Sequence, residues 1–421
     1  MRRAKAFTDI AVLTISALFV RLSWVFLRPW VAGDSVGYLT IARNIRFHHL
    51  FSVTESAVGP FLPSVQRPPL YPALIALFWI KDSPPVTLVL VLQAMMGAAT
   101  VTLLYLSARD RFNRKVACLA AAFMVIAPMS IHFTAVILTE TFFTFLLMLA
   151  IFFWGSGRAV FSGLVFGLAA LTRPTILPFL IILPTISLLP RFRDTWRRHL
   201  IILLVAVAVL SVWIVRNAVV FGRFIPVAAS GWGMNLLLGT IDTEFVGIKV
   251  WTGSGWAVPD VSTHPLLHVE PGLSETETDR ILLQRAVERI RERPLHWVVV
   301  RMEQYPKLFL DPGDYALGTY NAPIREAATH RLFGVLLIKF LFIAVTLVAL
   351  ALAVLGLYSV RHRSVELVHL ISFPLFLLVA QILMWTEARY TIPIMPVMAI
   401  FSAVGLQQLW NSRSLVRLRK A

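Results

Sequence analysis

The sequence predicts an all-α polytopic membrane protein with about ten transmembrane helices, and three observations predict it. The first is composition: of 421 residues, 58% are apolar and only 14% charged, with a mean hydropathy of +0.76. A soluble domain is about half apolar and a quarter charged, so the excess faces something other than water. The second is the recurrence of apolar runs of the length that crosses a bilayer, about 20 residues for about 30 Å of hydrocarbon. The third is the alternation of basic residues between successive connections. Lys and Arg outnumber Asp and Glu by 39 to 22, a formal charge of +17. These cations lie between apolar runs, which directs them to lipid headgroups and not to nucleic acid. The single cysteine, Cys118, excludes an internal disulfide and a Cys-rich metal site. Disorder, a disulfide scaffold and a soluble enzyme are thereby excluded.

The apolar runs fall at 7–27, 86–107, 116–135, 138–154, 200–217, 332–358, 365–385 and 390–409. The stretch 159–190 holds two shorter spans broken at Arg173-Pro174, because proline ends a helix and biases its predecessor away from the helical region. With Arg2, Arg3 and Lys5 placed in the cytoplasm, alternation gives five further inner segments. They are 108–115 (Arg109, Arg111, Arg114, Lys115), Arg158, 191–199 (Arg191, Arg193, Arg197, Arg198), Arg361 with Arg363, and the tail with Arg413, Arg417, Arg419 and Lys420. The short outer connections hold almost no cations, so both termini are expected in the cytoplasm. The first apolar run is too long for a cleaved signal and reads as an anchor.

Two outer segments are long. Residues 28–85 contain aromatic and Pro-rich stretches too broken to cross, which reads as juxtamembrane helices. Residues 218–331 form a polar extracytoplasmic region, in which Ser274-Glu275-Thr276-Glu277 has the capping-box pattern. The helix it opens runs through Leu282, Leu283, Val287 and Ile290 to Arg293-Pro294. Three parts are therefore expected: a core 1–217 including the loop 28–85, the loop region 218–331, and the C-terminal spans and tail 332–421. No period of 20–50 residues is present.

Ionisable groups inside spans are costly and usually functional. Arg21 and Lys339 lie in the outer parts of their helices and are expected to snorkel to the headgroups. Asp9, Glu366 and His369 sit at inner ends. The remaining polar groups gather at one depth. They are Asp34 and Tyr38 in Gly33-Asp34-Ser35-Val36-Gly37-Tyr38, Arg67 and Tyr71 in Arg67-Pro68-Pro69-Leu70-Tyr71-Pro72, and Glu140 where the chain returns to the membrane. Arg173, Arg216-Asn217 and Glu387-Ala388-Arg389-Tyr390 complete the set. Six connections thus place acids, arginines and tyrosines at the extracytoplasmic boundary. Taken singly, Tyr38, Tyr71 and Tyr390 also suit an aromatic belt, and Arg216 and Arg389 also suit snorkelling. Asp34 does not, since a carboxylate beside aromatic segments gains nothing from lipid. His48-His49 reads as surface, because adjacent helical residues do not face one another.

No G-x-x-x-x-G-K-[ST] occurs, so ATP is not the driving force, and no H-E-x-x-H, G-x-S-x-G or Asp-x-Asp is present. Gly231-Trp232-Gly233 and Gly253-Ser254-Gly255 in the outer loop are weak evidence for a nucleotide.

These residues together resemble the integral-membrane glycosyltransferases of the GT-C fold, above all glycosyltransferase family 39, the protein O-mannosyltransferase and aminoarabinose transferase branch. The matching elements are Asp34 with Tyr38, Arg67 through Pro72, Thr139-Glu140, and Gly163-Leu164 through Gly167-Leu168-Ala169-Ala170-Leu171-Thr172-Arg173-Pro174. Arg216-Asn217 before Phe221-Gly222, and Glu387 through Tyr390 with Pro393 and Pro396, follow in order. The resemblance implies transfer of a sugar from a polyprenyl-phosphate carrier to a protein, lipid or glycan acceptor at the outer face of a plasma membrane. A compact chain without a luminal β-domain points to a bacterial inner membrane. It implies Asp34 as catalytic base, Glu140 as the second acid, and Arg67 on the donor phosphate, with Arg389, Arg216 and Arg173 as further phosphate ligands. Tyr38, Tyr71, Glu387 and Tyr390 are the expected substrate-positioning residues. Many relatives carry Arg directly before the first-loop tyrosine, where this chain has Gly37. Arg67, Arg216 or Arg389 must then supply that contact, or a divalent metal ion must; no other cofactor is implied.

The chemistry suits these residue types independently. A carboxylate takes the acceptor proton while arginines pair with the leaving lipid phosphate. Two alternatives stand beside this reading. One is a transporter or flippase of a lipid-linked sugar, which predicts an inverted repeat and broken helices at mid-membrane. The other is an oligosaccharide ligase or polymerase on the same fold.

Overall fold

A computed structural model describes residues 2–54, 61–80, 83–228, 231–241, 250–251, 256–257, 265–270, 273–310 and 324–418. Among them, five helices are long and apolar enough to cross a bilayer: Lys5–Leu27, Val86–Arg111, Pro190–Phe221, Phe333–Ser359 and Ala388–Asn411. A sixth crossing arises if Arg114–Val125 and Pro128–Ala135, bent by 56° at their junction, count as one span. Shorter apolar helices occupy Glu140–Gly155, Ala159–Ala170, Pro174–Leu188 and Val368–Ala380. The expected runs are therefore helical, several of them short or broken. The stretch 159–190 divides at Arg173-Pro174 as proline requires.

In chain order we label α1 Arg2–Leu27, α2 Gly33–His48, α3 Leu70–Leu77, α4 Val86–Arg111, α5 Arg114–Val125 and α6 Pro128–His132. Then come α7 Glu140–Gly155, α8 Ala159–Ala170, α9 Leu177–Ile182, α10 Trp196–Phe221, α11 Trp232–Leu238 and α12 Glu275–Glu292. They are followed by α13 Pro294–Gln304, α14 Lys307–Leu310, α15 Ile324–Thr329, α16 Phe333–Ser359, α17 Val368–Ala380 and α18 Met395–Leu418. A two-residue antiparallel pair joins Val250–Trp251 to Trp256–Ala257. Gly253-Ser254-Gly255, Arg419 and Lys420 lie outside the described residues.

Helix packing is led by small residues, because lipid tails solvate apolar side chains as well as other helices do. On α8, a Cβ at Gly163 would stand 2.7 Å from Ile202 O and one at Gly167 2.7 Å from Val209 Cβ, so α8 lies backbone-close to α10. Gly356 and Gly405 do the same for α16 and α18, each meeting the other helix's backbone at Phe401 O and Leu352 O. Gly405→Val is expected to force these helices apart and cost about 1–3 kcal/mol of stability by overpacking, read as a lowered unfolding midpoint in detergent. An unchanged midpoint would mean that the crossing does not carry stability.

The connections segregate to two ends of the bundle. At one end Asp9 on α1 accepts from Arg114 Nε and Nη2, at 2.6 and 2.7 Å, and from Tyr105 at 2.9 Å. There Arg363 donates to Arg111 O at 2.9 Å and Asn113 to Gln407 at 3.1 Å. The segments grouped by their arginines thus meet one another. Asp34, Arg67, Glu140, Arg173 and Arg389 meet at the other end.

Two expectations about cations need correction. Arg21 does not snorkel: it is fully buried, donating to Ala17 O (3.2 Å), Met124 O (3.1 Å) and Ser130 Oγ (3.1 Å). Its stem lies over Gly97, where a Cβ would come within 2.6 Å of Nε. The carbonyl freed where α5 breaks supplies the partner that lipid cannot. Lys339 is likewise buried in α16. The predicted cap on α12 is present: Ser274 Oγ accepts from the Glu277 amide, and Glu277 accepts from the Ser274 amide.

Candidate active site

Five segments build the site, and four of them are placed by the interactions that follow. Asp34 stands in the first turn of α2, where the helix dipole favours an acid. The α2 N-terminus is fixed by the Trp30 amide donating to Ala135 O at 2.9 Å and the Ile137 amide to Trp30 O at 3.4 Å. Those contacts also deliver Thr139-Glu140 to the same end, with Glu140 opening α7. Arg67 ends a loop gripped on both sides. Glu275 accepts from Ser64 Oγ at 2.7 Å and from the Val65 amide at 2.8 Å, and Arg216 donates to Ser64 O at 3.1 Å. The Leu70 amide donates to Leu171 O at 3.1 Å, which sets Arg67 and Arg173 on neighbouring connections.

The charged groups then interlock. Asp34 Oδ1 meets Arg67 Nη2 at 2.9 Å, and Asp34 Oδ2 meets Arg389 Nη1 at 3.1 Å. Arg389 also contacts Glu387 at 2.5 Å and lies 4.0 Å from Glu140. Glu140, 2% exposed, pairs with Arg173 Nη1 at 2.9 Å. Its Oε2 is buried and accepts no hydrogen bond among the described residues. Three carboxylates and three guanidinium groups therefore balance in charge. Partial burial pushes the Asp34 carboxyl upward, but Arg67 and Arg389 outweigh it and hold the group below the ordinary aspartate range.

Aromatic rings line the cluster. The Arg67 guanidinium lies 5.1 Å from the Tyr38 ring centroid, while Arg173 and Arg389 lie 5.7 and 5.5 Å from that of Tyr390. A Cβ at Gly37 would stand 3.5 Å from Arg67 Nε, so the place beside this glycine is taken by Arg67.

Other sequence-predicted residues take different places. Tyr71 is fully buried, donates to Gln93 Oε1 at 2.6 Å and packs edge-on against Tyr38 at 5.2 Å. Among the described residues it touches the cluster through Tyr38, and it is no part of an aromatic belt. Arg216 stays out of the charged cluster, its guanidinium over Trp213 (4.7 Å), Phe221 (5.3 Å) and Phe51 (5.5 Å) while it braces Ser64. Two residues that sequence reasoning missed are Gln93 and Glu275. Gln93 donates to Thr134 O (3.0 Å) and Val136 O (2.8 Å), tying α4 to the strand-like turn before Glu140. An amide within an apolar span was its available signal. Tyr71→Phe would leave Gln93 Oε1 without its donor, with an expected cost of about 1–3 kcal/mol. Thermal unfolding checks this, and a wild-type midpoint would remove Gln93 from the scaffold.

Among the described residues no group of three His, Cys, Asp or Glu side chains is arranged to hold a metal ion. Asp34 and Glu140 each meet guanidinium nitrogens instead, and this donor set does not fit a divalent cation.

Residues 66–215 match the family model described as dolichyl-phosphate-mannose-protein mannosyltransferase. No curated protein matches the chain. Among solved structures, the oligosaccharyltransferase AglB of Archaeoglobus fulgidus, in complex with an inhibitory peptide and a dolichol-phosphate, aligns over 99% of this chain and 52% of its own. The TM-score is 0.56 at 16% identity. The same enzyme tethered to an acceptor peptide containing the NVT sequon aligns with a TM-score of 0.55 at 15% identity, over 99% of this chain and 51% of its own. ArnT of Cupriavidus metallidurans bound to undecaprenyl phosphate has a TM-score of 0.42 at 14% identity, over 94% of this chain and 77% of its own. The chain spans about half the length of the oligosaccharyltransferase it matches. By the fold it shares with AglB, and by the mannosyltransferase-type segment at 66–215, the chain is a GT-C-fold integral-membrane protein similar to glycosyltransferase family 39.

Proposed function

We propose that the protein is a glycosyltransferase that moves a single sugar from a polyprenyl-phosphate carrier to an acceptor hydroxyl at the extracytoplasmic face. The observation that carries this reading is the Asp34 carboxylate held between Arg67 and Arg389, at the end of a bundle whose apolar helices suit an isoprenoid tail. The acceptor O–H bond breaks and its proton passes to Asp34, while its oxygen bonds to the anomeric carbon from the face opposite the phosphate. The bond from that carbon to the phosphate oxygen breaks, and the electron pair leaves on the carrier phosphate. One displacement inverts the anomeric centre, and the activated donor bond makes ATP unnecessary.

Arg67 and Arg389 offer planar, permanently charged forks to the phosphate, the term usually worth most in such a site. Arg173 sits behind them and holds Glu140, whose unused buried oxygen takes a hydrogen bond from the sugar or the acceptor. Tyr38 and Tyr390 present ring faces to the arginines and edges to the sugar. The region around α12, latched to the Arg67 loop through Glu275, selects the acceptor. A transporter is disfavoured by the gathering of Asp34, Glu140 and their arginine partners at a single end of the bundle.

Mass spectrometry of envelope glycans and glycolipids, with and without the gene, tests the reading. Loss of one sugar substituent with accumulation of its polyprenyl-phosphate donor is expected. Identical profiles and donor pools would overturn it. A narrower test addresses the loop: Glu275→Gln weakens the grip on Ser64 and Val65 and is expected to raise KM for the donor several-fold with little change in kcat. A selective fall in kcat would refute that role.

A further inference from the structure

Asp34 has two carboxylate oxygens, and each faces a different arginine, at 2.9 Å from Arg67 and 3.1 Å from Arg389. A carboxylate so held has its charge neutralised by two cations, which makes it a weak base, and its partners are the groups best suited to the donor phosphate. Arg67 Nε, moreover, meets no acceptor among the described residues. Two oxygens cannot serve every donor of two guanidinium forks, whereas a phosphate brings a third. Arg389 keeps Glu387 as a second partner, and Arg67 keeps the ring of Tyr38, so neither is stranded if Asp34 leaves.

We propose that Asp34 occupies the anion slot of the empty enzyme and that the carrier phosphate displaces it, so that binding of the donor releases the base. This rests on the glycosyltransferase reading above and adds an order of events to it: donor first, acceptor second. Before the carrier binds, the base is neutralised by the cations it later leaves to the phosphate, and it is a poor proton acceptor. The depressed pKa of the free enzyme agrees with the locked state, and a neighbouring phosphate anion would raise it.

The filled slot has a measurable consequence. When only a fraction of the protein has the slot open, apparent affinity is reduced by that fraction, and removing the internal competitor restores it. Equilibrium binding of a radiolabelled polyprenyl phosphate to protein in lipid nanodiscs is the test, with the unphosphorylated polyprenol as the control. Asp34→Asn is expected to bind the phosphate about tenfold more tightly than wild type, as relief from such self-competition allows. Arg67→Gln is expected to bind it more weakly. Glu387→Gln removes an equal charge from Arg389 but leaves Arg67 engaged, so its gain should be smaller. Equal gains at positions 34 and 387, or no gain at 34, overturn the exchange while leaving the glycosyltransferase reading in place. Absence of phosphate-dependent binding in folded wild-type protein overturns both. Should Asp34→Asn fail to fold, carbodiimide labelling of wild-type Asp34, mapped by mass spectrometry, is read instead. Labelling is expected to rise when the polyprenyl phosphate is added, because the freed carboxyl protonates more readily; unchanged or reduced labelling overturns the exchange.

Discussion

Asp34→Asn is expected to lower sugar transfer by about 10²–10⁴-fold, the range of a lost general base, while the protein remains folded. The amide keeps the shape of the carboxylate and cannot accept the acceptor proton. Folding survives because Asp34 is 38% exposed and ion pairs so placed contribute little to stability. Arg67 retains Tyr38, and Arg389 retains Glu387. The pH profile carries a second signature. The folded-state pKa of Asp34 is depressed, so its ion pairs are intact above the unfolded value of about 3.9 and are lost as the pH falls through the lower folded value. The acid limb of kcat/KM, which reports the free enzyme, therefore lies low. If the phosphate frees Asp34, the acid limb of kcat lies at higher pH, because in the bound complex the arginines are shared with another anion. Steady-state assays with purified enzyme, a defined donor and acceptor check both points. Wild-type turnover in a folded Asp34→Asn protein would remove the base assignment.

Much of this was legible in the residues before any coordinates. Runs of apolar side chains near the length of a bilayer gave the helices, and the arginines between them marked connections that meet one another. The broken stretch at Arg173-Pro174 followed from the geometry of proline, and the start of α12 from the hydroxyl and carboxylate of its capping box. The site's constituents were legible as residue types sharing one depth, which is why Asp34, Arg67, Glu140, Arg173 and Arg389 all meet. Pairing was not legible. Nothing local distinguishes Arg67, which faces Asp34, from Arg216, which braces a loop beneath three aromatic rings. Tyr71 and Tyr38 lie on different segments, and the packing of α3 against α2 buries both, one against Gln93 and the other beside a guanidinium. Arg21 illustrates the same limit. Its position along α1 suggests a route to the headgroups, but the carbonyl of Met124, released where α5 breaks, offers a nearer partner. Such a partner is invisible until the bend is known.

Arg173→Ala is expected to cost about 3–5 kcal/mol of stability, as removal of one partner from a buried pair does. Glu140 is 2% exposed and would be left with Arg389 at 4.0 Å as its nearest cation. The reverse change, Glu140→Gln, should cost less. Arg173 is 17% exposed, donates to Thr139 Oγ1 at 3.4 Å and stacks on Tyr390 and Phe143, so its charge is not abandoned. The asymmetry separates structure from catalysis. Replacing both residues together, Glu140→Leu with Arg173→Met, removes the charges as a pair and is expected to recover most of the stability lost in Arg173→Ala. Transfer should not recover with it, because the buried oxygen offered to the substrate is gone. Unfolding midpoints and single-turnover rates on the three proteins decide the matter. If the double replacement is as unstable as Arg173→Ala, the pair is not what holds α7 to the turn after α8. If it is stable and active, Glu140 has no part in the reaction, and Asp34 with Arg67 and Arg389 must account for catalysis alone.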